Sequence, residues 1–190
     1  MTERLRKPAF QAPQPSPAAA LAENPAPLLL AMYRRVWETS MRDMPFVNPA
    51  LAVDVVGFRR FRGDWIGVVI TPWFLNLFLL PGGGELWSDR PAGEHGKVVF
   101  PVGELEFIAD NDAQAEIPAH QYCPLFAPVT QFATQEAAQG AALAALEALF
   151  SPPPAVEPAP PVAATPPAKA PSAEAPVSRR AFFRRLVGGK

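Results

Sequence analysis

The sequence predicts an α+β domain, in which an antiparallel β-sheet meander is flanked by an N-terminal and a C-terminal helix, with disordered Pro/Ala-rich tails. Three observations lead to this prediction. Residues 28–44 carry apolar side chains at helical spacing, and residues 135–150 follow a capping threonine. The stretch between them consists of short apolar runs separated by glycine and proline turns. Ten of the 25 prolines fall within residues 151–178, which therefore cannot form a packed core.

These patterns divide the chain into four parts. Residues 1–25 are a disordered N-terminal arm, and residues 26–150 are the folded domain. A Pro/Ala-rich linker, residues 151–177, leads to a basic tail, residues 178–190. The folded part is long enough to bury a core of its own.

The two helices are predicted from spacing and end signals. The first spans residues 28–44 and ends before Pro45, because the residue before a proline is disfavoured in the helical conformation. The second spans residues 135–150, with Thr134 as its N-cap and Glu136 in its first turn. The apolar face of the first helix includes Leu29, Met32, Tyr33, Val36 and Trp37.

Strands are predicted where apolar and β-branched residues cluster. The first two flank the turn Arg62-Gly63-Asp64 as a hairpin, and Gly82-Gly83-Gly84 is expected to be a flexible hairpin end. The predicted strands are residues 51–61, 65–71, 73–80, 97–100 and 104–108.

Two segments after these strands are expected to lie outside the sheet. Residues 109–119 are polar and acidic, which is typical of a surface loop. Residues 122–129 are apolar, but Pro124 and Pro128 favour an extended packed segment over a hydrogen-bonded strand.

Charge and cysteine usage restrict the class of protein. The formal net charge is −1, of which the last thirteen residues contribute +5 and the rest −6, so a nucleic-acid partner is not expected. Cys123 is the only cysteine, which excludes an internal disulfide and fits a reducing cytosol. There is neither an apolar run of ~20 residues nor an N-terminal secretory signal, so a cytoplasmic location is expected.

Catalytic groups are sparse, and we predict no catalytic residue, no metal and no cofactor. His120 and Cys123 have a His-x-x-Cys spacing, but a structural zinc needs four ligands and the only other histidine is His95. A packed cysteine beside a surface histidine is the simpler interpretation. A Cys-His nucleophile or a Cys123 thiol oxidoreductase is the enzymatic alternative.

Acidic and aromatic residues suggest a binding surface instead. Glu104 and Glu106 share one face of a strand, as a solvated outer face or as a surface for an arginine-bearing peptide. Asp110, Asn111, Asp112 and Glu116 extend the acidity. Most of the neighbouring aromatic residues belong to the core, and those at strand ends could line an apolar groove.

The tail carries a motif that resembles the twin-arginine export signal, S-R-R-x-F-L-K. It consists of Ser178, Arg179, Arg180, Ala181, Phe182, Phe183 and Arg184. Such signals open a protein and precede a long apolar region, whereas only six residues follow here. This copy cannot export its own chain.

Four segments resemble the HybE/HupJ family of nickel-iron hydrogenase assembly chaperones. The most specific is Thr71-Pro72-Trp73-Phe74-Leu75-Asn76-Leu77. The full set is residues 44–51, 56–58, 65–77 and 122–128. Some relatives add a rubredoxin domain, and the paired Cys-x-x-Cys that it requires is absent here.

The resemblance implies a cytoplasmic maturation factor without enzymatic activity. Its partner would be the hydrogenase small subunit precursor, held with its twin-arginine signal until the cofactors and the large subunit are in place, with the large subunit as a second candidate partner. Combined with the acidic strand, the resemblance gives a client-binding set: Trp73, Phe74, Asn76, Glu104, Glu106, Tyr122 and Phe126.

Three roles for the tail remain open at this point. It could occupy the client groove as a tethered imitation of the client signal, since the linker is long enough to fold back. It could contact an anionic membrane or the export translocase through its arginines and the Phe182-Phe183 pair, which is the only membrane contact expected. It could also be a solubilising or degenerate extension.

Overall fold

The computed structural model describes residues 17–152 of the 190-residue chain. They form one six-stranded antiparallel sheet with the strand order β1-β2-β3-β6-β5-β4 and a helix on each face. No helix in this part is long and apolar enough to cross a membrane. The elements are α1 Ala26–Val36, a π-helical turn Trp37–Met41, β1 Asp54–Phe61, β2 Asp64–Ile70, β3 Leu75–Leu80, β4 His95–Phe100, β5 Gly103–Asn111, β6 Ala119–Phe126 and α2 Gln135–Phe150.

The predicted α+β class and its two flanking helices are confirmed. The sheet consists of two three-stranded meanders, β1-β2-β3 and β4-β5-β6, which join where β3 pairs with β6. Both outer strands, β1 and β4, therefore lie at open edges, and the last strand of the sequence is central.

The expectations that residues 109–119 and 122–129 lie outside the sheet are wrong in part, because β5 extends to Asn111 and β6 includes Ala119 to Phe126. Strand β6 pairs with β5 only from Ala119 to Tyr122, and beyond that point it pairs with β3 alone. Pro124 consequently has a strand partner on one side only, and a proline is tolerated where its nitrogen faces an unpaired side. A proline can therefore occur within a central strand at a point where the pairing with one of the two neighbouring strands has already ended.

The first helix is shorter than predicted. α1 ends at Val36, and the next five residues form a π-helical turn in which the Arg42 amide donates to the Trp37 carbonyl at 3.1 Å. The Thr39 hydroxyl donates to the Arg35 carbonyl at 2.8 Å, a back-bond that competes with the regular ladder. The second helix is confirmed, with Thr134 Oγ1 accepting from the Ala137 amide at 3.2 Å.

Two hydrophobic cores lie on opposite faces of the sheet because side chains alternate along each strand. Leu75, Leu77 and Leu79 of β3 pack with α2, whereas Phe78 and Leu80 pack under α1. The sheet also curls around the α2 core. Its edge strands meet through their last residues, with the Phe61 and Phe100 rings 6.0 Å apart and the Phe150 ring of α2 4.9 Å from Phe61.

A buried carboxylate organises the glycine-rich loop that was expected to be flexible. Asp64, the first residue of β2, is 0% exposed. Its Oδ1 accepts from the amides of Gly82 and Gly84 at 2.8 and 2.9 Å, and its Oδ2 accepts from those of Leu86 and Trp87 at 2.8 and 2.9 Å. Close approach to the β1–β2 turn requires glycine here, because a Cβ on Gly84 would lie 2.2 Å from the Arg62 carbonyl oxygen.

The chain before α1 packs on the same end of the sheet. The Arg60 guanidinium donates to the carbonyls of Leu21 and Ala22, both at 3.0 Å, and the Trp65 indole N–H donates to the Leu21 carbonyl at 2.8 Å. The Leu21 amide in turn donates to the Pro81 carbonyl at 2.8 Å. Residues 21 and 22 thus pack against the sheet ahead of α1.

Candidate functional site

An aromatic cluster joins α1 to the start of β3. The Tyr33 ring lies 5.4 Å from Phe74 and 5.9 Å from Phe78, both edge-on. The Trp37 and Trp73 rings are stacked at 6.1 Å with only 13° between their planes. Phe78 is buried, whereas both tryptophans remain partly open to solvent at the rim of the cluster.

The rim continues into the segment that follows the π-helical turn. Met44 and Phe46 are 43% and 51% exposed, which is unusual for large apolar side chains. The segment is held beside Trp73 because the backbone N–H of Asn48 donates to the Pro72 carbonyl at 2.7 Å. We refer to Trp37, Met44, Phe46 and Trp73 as the aromatic patch.

The sheet face that carries Phe78 continues from under α1 to β5 and ends in carboxylates. Phe78 pairs with Tyr122, and Tyr122 pairs with Ile108, so these side chains form a row across β3, β6 and β5. Glu106 and Glu104 follow Ile108 on the same face of β5.

The two carboxylates already have partners. The Lys97 ammonium lies 2.7 Å from Glu104, and His95 Nδ1 lies 3.1 Å from Glu106. The hydrogen bond and the charge of Glu104 raise the pKa of Lys97. These pairs are solvent-exposed, so they are weak and can exchange for another cation.

The remaining acidic residues of the predicted edge are also engaged. Glu116 forms an ion pair with Arg35 of α1 at 2.8 Å. Asp110 Oδ2 lies 3.7 Å from His120 Nε2. The acidity predicted from sequence therefore does not form one open cluster, and Glu104 with Glu106 is the part nearest to the row of apolar side chains.

His120 is buried and not on the surface as expected. It is 7% exposed and stacks on Phe78, with ring centroids 5.0 Å apart. Burial lowers the pKa of His120, with the nearby Asp110 acting in the opposite direction. Burial likewise raises the pKa of Tyr33, with smaller contributions from Asp110 and Tyr122.

His120 and Cys123 lie on opposite faces of β6. His120 stacks on Phe78 in the α1 core, whereas Cys123 is buried in the α2 core. The two side chains cannot bind one metal ion or act as a nucleophile pair. Across residues 17–152 no group of three or more His, Cys, Asp or Glu side chains is placed to bind a metal.

The structure divides the predicted client-binding set between two faces. Trp73, Phe74 and Tyr122 lie on the α1 face with the glutamates. Phe126 lies on the α2 face, because the register shifts between Leu75 and Asn76 and Leu75 pairs with Phe126.

Asn76 is buried within β3 and offers little surface to a partner. It is 6% exposed, and its Oδ1 has no hydrogen-bond partner among the described residues. Trp37, Met44 and Phe46 were not in the predicted set. The signal that could have identified Met44 and Phe46 is the short run Met44-Pro45-Phe46, which places apolar residues beyond a helix end. The tail motif Ser178, Arg179, Arg180, Phe182 and Phe183 lies outside the described residues.

Comparison with known proteins decides the family. The sequence profile of the [NiFe]-hydrogenase assembly chaperones named HybE matches residues 24–185. The chain belongs to this HybE family. The match includes the linker and most of the tail as well as the folded part.

Individual relatives of the HybE family agree. The chain is 40% identical over 125 residues to the hydrogenase expression/formation protein HupJ of Bradyrhizobium diazoefficiens, covering 66% of this chain and 71% of that protein. It is 38% identical over 122 residues to the probable rubredoxin HupJ of Rhodobacter capsulatus, covering 64% of this chain and 43% of that protein. It is 32% identical over 157 residues to HoxT of Azotobacter vinelandii, covering 82% and 92%.

A solved structure shows the same fold. The solution structure of HybE from Escherichia coli superposes with a TM-score of 0.57 at 26% identity, covering 80% of this chain and 95% of that one. The chain thus has the fold of a HybE protein and spans less than half the length of the Rhodobacter capsulatus relative.

Proposed function

We propose that this protein is a cytoplasmic, non-enzymatic chaperone for the small subunit precursor of a [NiFe] uptake hydrogenase. It binds the precursor together with its twin-arginine signal and prevents export before cofactor loading and assembly with the large subunit. The observation that carries the proposal is a surface in which the partly exposed aromatic patch lies on the same side of the sheet as Tyr122, Ile108 and two glutamates.

The apolar half of that surface suits the hydrophobic region of an export signal. The aromatic patch presents stacked tryptophans next to Met44 and Phe46, and methionine adapts to apolar partners of different shape. Burial of such a patch releases about 25 cal/mol for each Å² of apolar surface removed from water. A soluble protein has no structural need for this exposure, which favours a binding role.

The polar half suits the paired arginines of the signal. A guanidinium offers a planar set of donors that a carboxylate accepts in bidentate fashion, which an ammonium or an imidazole cannot match. Arginines of the precursor would replace Lys97 at Glu104 and His95 at Glu106. Because both pairs are exposed, little free energy is lost in the exchange.

The test is binding of a fluorescent peptide that carries the twin-arginine signal of a hydrogenase small subunit. We expect Phe46→Glu to weaken binding by about tenfold, which corresponds to ~1.4 kcal/mol. Phe46 is exposed, so the substitution should leave the fold intact. The matched control is Leu28→Glu, which alters an equally open apolar residue at the opposite end of α1.

The glutamates are tested separately. The double change Glu104→Gln and Glu106→Gln should reduce the affinity and also its dependence on salt, because it removes the charge attraction and keeps the shape. Equal affinities for Phe46→Glu, the glutamine variant and the wild type would refute this surface as the client site. Capture of the large subunit but not the small subunit from hydrogenase-producing cells would refute the choice of client.

A further inference from the structure

A second apolar groove lies on the α2 face of the sheet. It has a volume of about 370 Å³ and runs along the outer face of α2. Its walls and floor include Phe126, Phe132, Ala137, Gly140, Ala141 and Ala144.

The groove is built from two rings and a helix face without large side chains. The rings of Phe126 and Phe132 meet edge-on at 5.1 Å and form one wall. The register shift in β6 places Phe126 there. Gly140 leaves the floor open, since a Cβ at this position would meet nothing within 4 Å. Leu143, on the same helix, is 55% exposed.

Two carboxylates of α2 flank the groove. Glu136 and Glu147 are eleven positions apart, so they point in directions that differ by only about 20° and are separated by ~16 Å along the axis. Both are exposed; the Glu136 carboxylate is hydrogen-bonded to its own backbone amide and to Thr134, and no ion pair joins either glutamate to a cation within residues 17–152. The groove is thus lined mainly by apolar side chains, and one carboxylate lies on α2 just beyond each end of it.

The tail of this chain has the complementary pattern. In an extended segment Arg180, Phe182 and Arg184 project from one side, with the phenylalanine midway. The two arginine Cα atoms would be about 13 Å apart, and flexible side chains make up the difference to the ~16 Å between the glutamates. The spacing and the order of charge, ring and charge both fit.

The chain length brings the tail back to its own groove. α2 ends at Phe150, and residues 153–177 connect the described part to the tail. A linker of this length reaches up to ~80 Å in a polyproline II conformation, several times the length of α2. A tether of this kind gives a local concentration near the millimolar range, so a weak contact is enough.

We propose that residues 178–187 dock in the α2 groove of the same chain, with Phe182 against Phe126 and Phe132 and with Arg180 and Arg184 toward Glu136 and Glu147. The tail then binds to the folded domain of its own chain. Competition between the tail and the signal of a client rests on the proposed function, whereas the docking itself does not.

The experiment places a nitroxide spin label at Lys190→Cys of the full chain, since Cys123 is buried and unreactive by comparison. We expect amide resonances of residues 137–144 to lose intensity relative to the sample with reduced label. Gly140→Arg should abolish this loss by filling the groove and repelling the arginines. Ala113→Arg, which adds the same charge to an exposed loop, should leave the loss unchanged.

Further samples identify the occupant. Phe182→Ala and 0.5 M salt should each reduce the loss of intensity, because one removes the ring and the other screens the charges. A loss seen only when labelled and isotope-enriched chains are mixed would assign the groove to a second copy and overturn docking in cis. If no amide resonance of α2 lost intensity, or if only resonances of the aromatic patch did, the proposed docking of the tail in the α2 groove would be overturned. Neither result would bear on client binding.

Discussion

At the scale of single residues, Asp64 shows how one buried charge defines a loop. Each of its carboxylate oxygens accepts two backbone N–H bonds, and together they fix the chain from Gly82 to Trp87. Hydrogen bonds to a charged group are stronger than neutral ones, and the four donors offset the cost of removing the carboxylate from water.

Asp64→Asn is therefore expected to destabilise the protein by roughly 2–4 kcal/mol, because the amide group offers one acceptor oxygen and turns an NH₂ toward two backbone donors. Urea unfolding followed by circular dichroism measures the loss. The control is Asp43→Asn, at an exposed position with no such contacts. Equal unfolding midpoints for the two variants would show that the loop does not depend on the carboxylate.

The sequence predicts the environment of a single residue where its neighbours in the chain determine that environment. Burial of Cys123 follows from its apolar neighbours and was predicted correctly. The burial of His120 and the direction of Phe126 were not predicted, because the first depends on stacking against Phe78 and the second on a register shift between strands. Both causes are pairings between distant segments, which local patterns do not contain.

At the scale of elements, α2 was the most accurately predicted part, since its start is set by one side chain. Thr134 accepts from the Ala137 amide and satisfies a donor that the helix leaves open. The first helix was predicted too long because the hydrogen-bond pattern changes to π-helical after Val36, and the apolar spacing alone does not reveal this.

Thr134→Ala should cost about 1 kcal/mol of folding free energy by removing the cap, and Thr134→Asn should restore most of it. Thermal unfolding of the three proteins provides the measurement. Thr130→Ala, at an exposed position in the same connection, serves as the control. If the two alanine variants melt together, the cap contributes nothing and α2 is held by packing alone.

At the scale of the whole molecule, the sheet separates two surfaces with different chemistry. The α1 side carries the aromatic patch and the β5 glutamates, and the α2 side carries the groove. The sequence predicted the class and the helices but treated all binding residues as one site. Which face a residue occupies depends on strand order, and the pairing of β3 with β6 is not visible in the sequence.

Stability of the whole fold should fall as the pH is lowered from 7 to 5. Burial lowers the pKa of His120 in the folded state. Below about pH 6.5 the unfolded chain therefore binds more protons than the folded protein, and the free energy of unfolding falls. One such group contributes at most ~1.4 kcal/mol per pH unit. The stabilisation is present above the unfolded pKa and is lost as the pH falls toward the folded pKa, with Asp110 limiting the shift.

Urea midpoints measured across this range for His120→Phe should show a smaller acid-side decrease, because a phenyl ring keeps the stack on Phe78 and cannot be protonated. His95→Gln changes the other histidine, which is exposed, and should retain the decrease. An identical acid-side slope in His120→Phe and wild type would mean that carboxylates alone are responsible.

The guanidinium of Arg60 has a practical consequence for anyone who trims this protein. It donates to the carbonyls of Gly63 and Gly82 as well as to those of Leu21 and Ala22. A shortened chain that starts at the first helix would lose the last two acceptors and leave the Trp65 indole N–H unpaired as well. Truncation for crystallisation should therefore retain the nine residues before Ala26 that the structure describes.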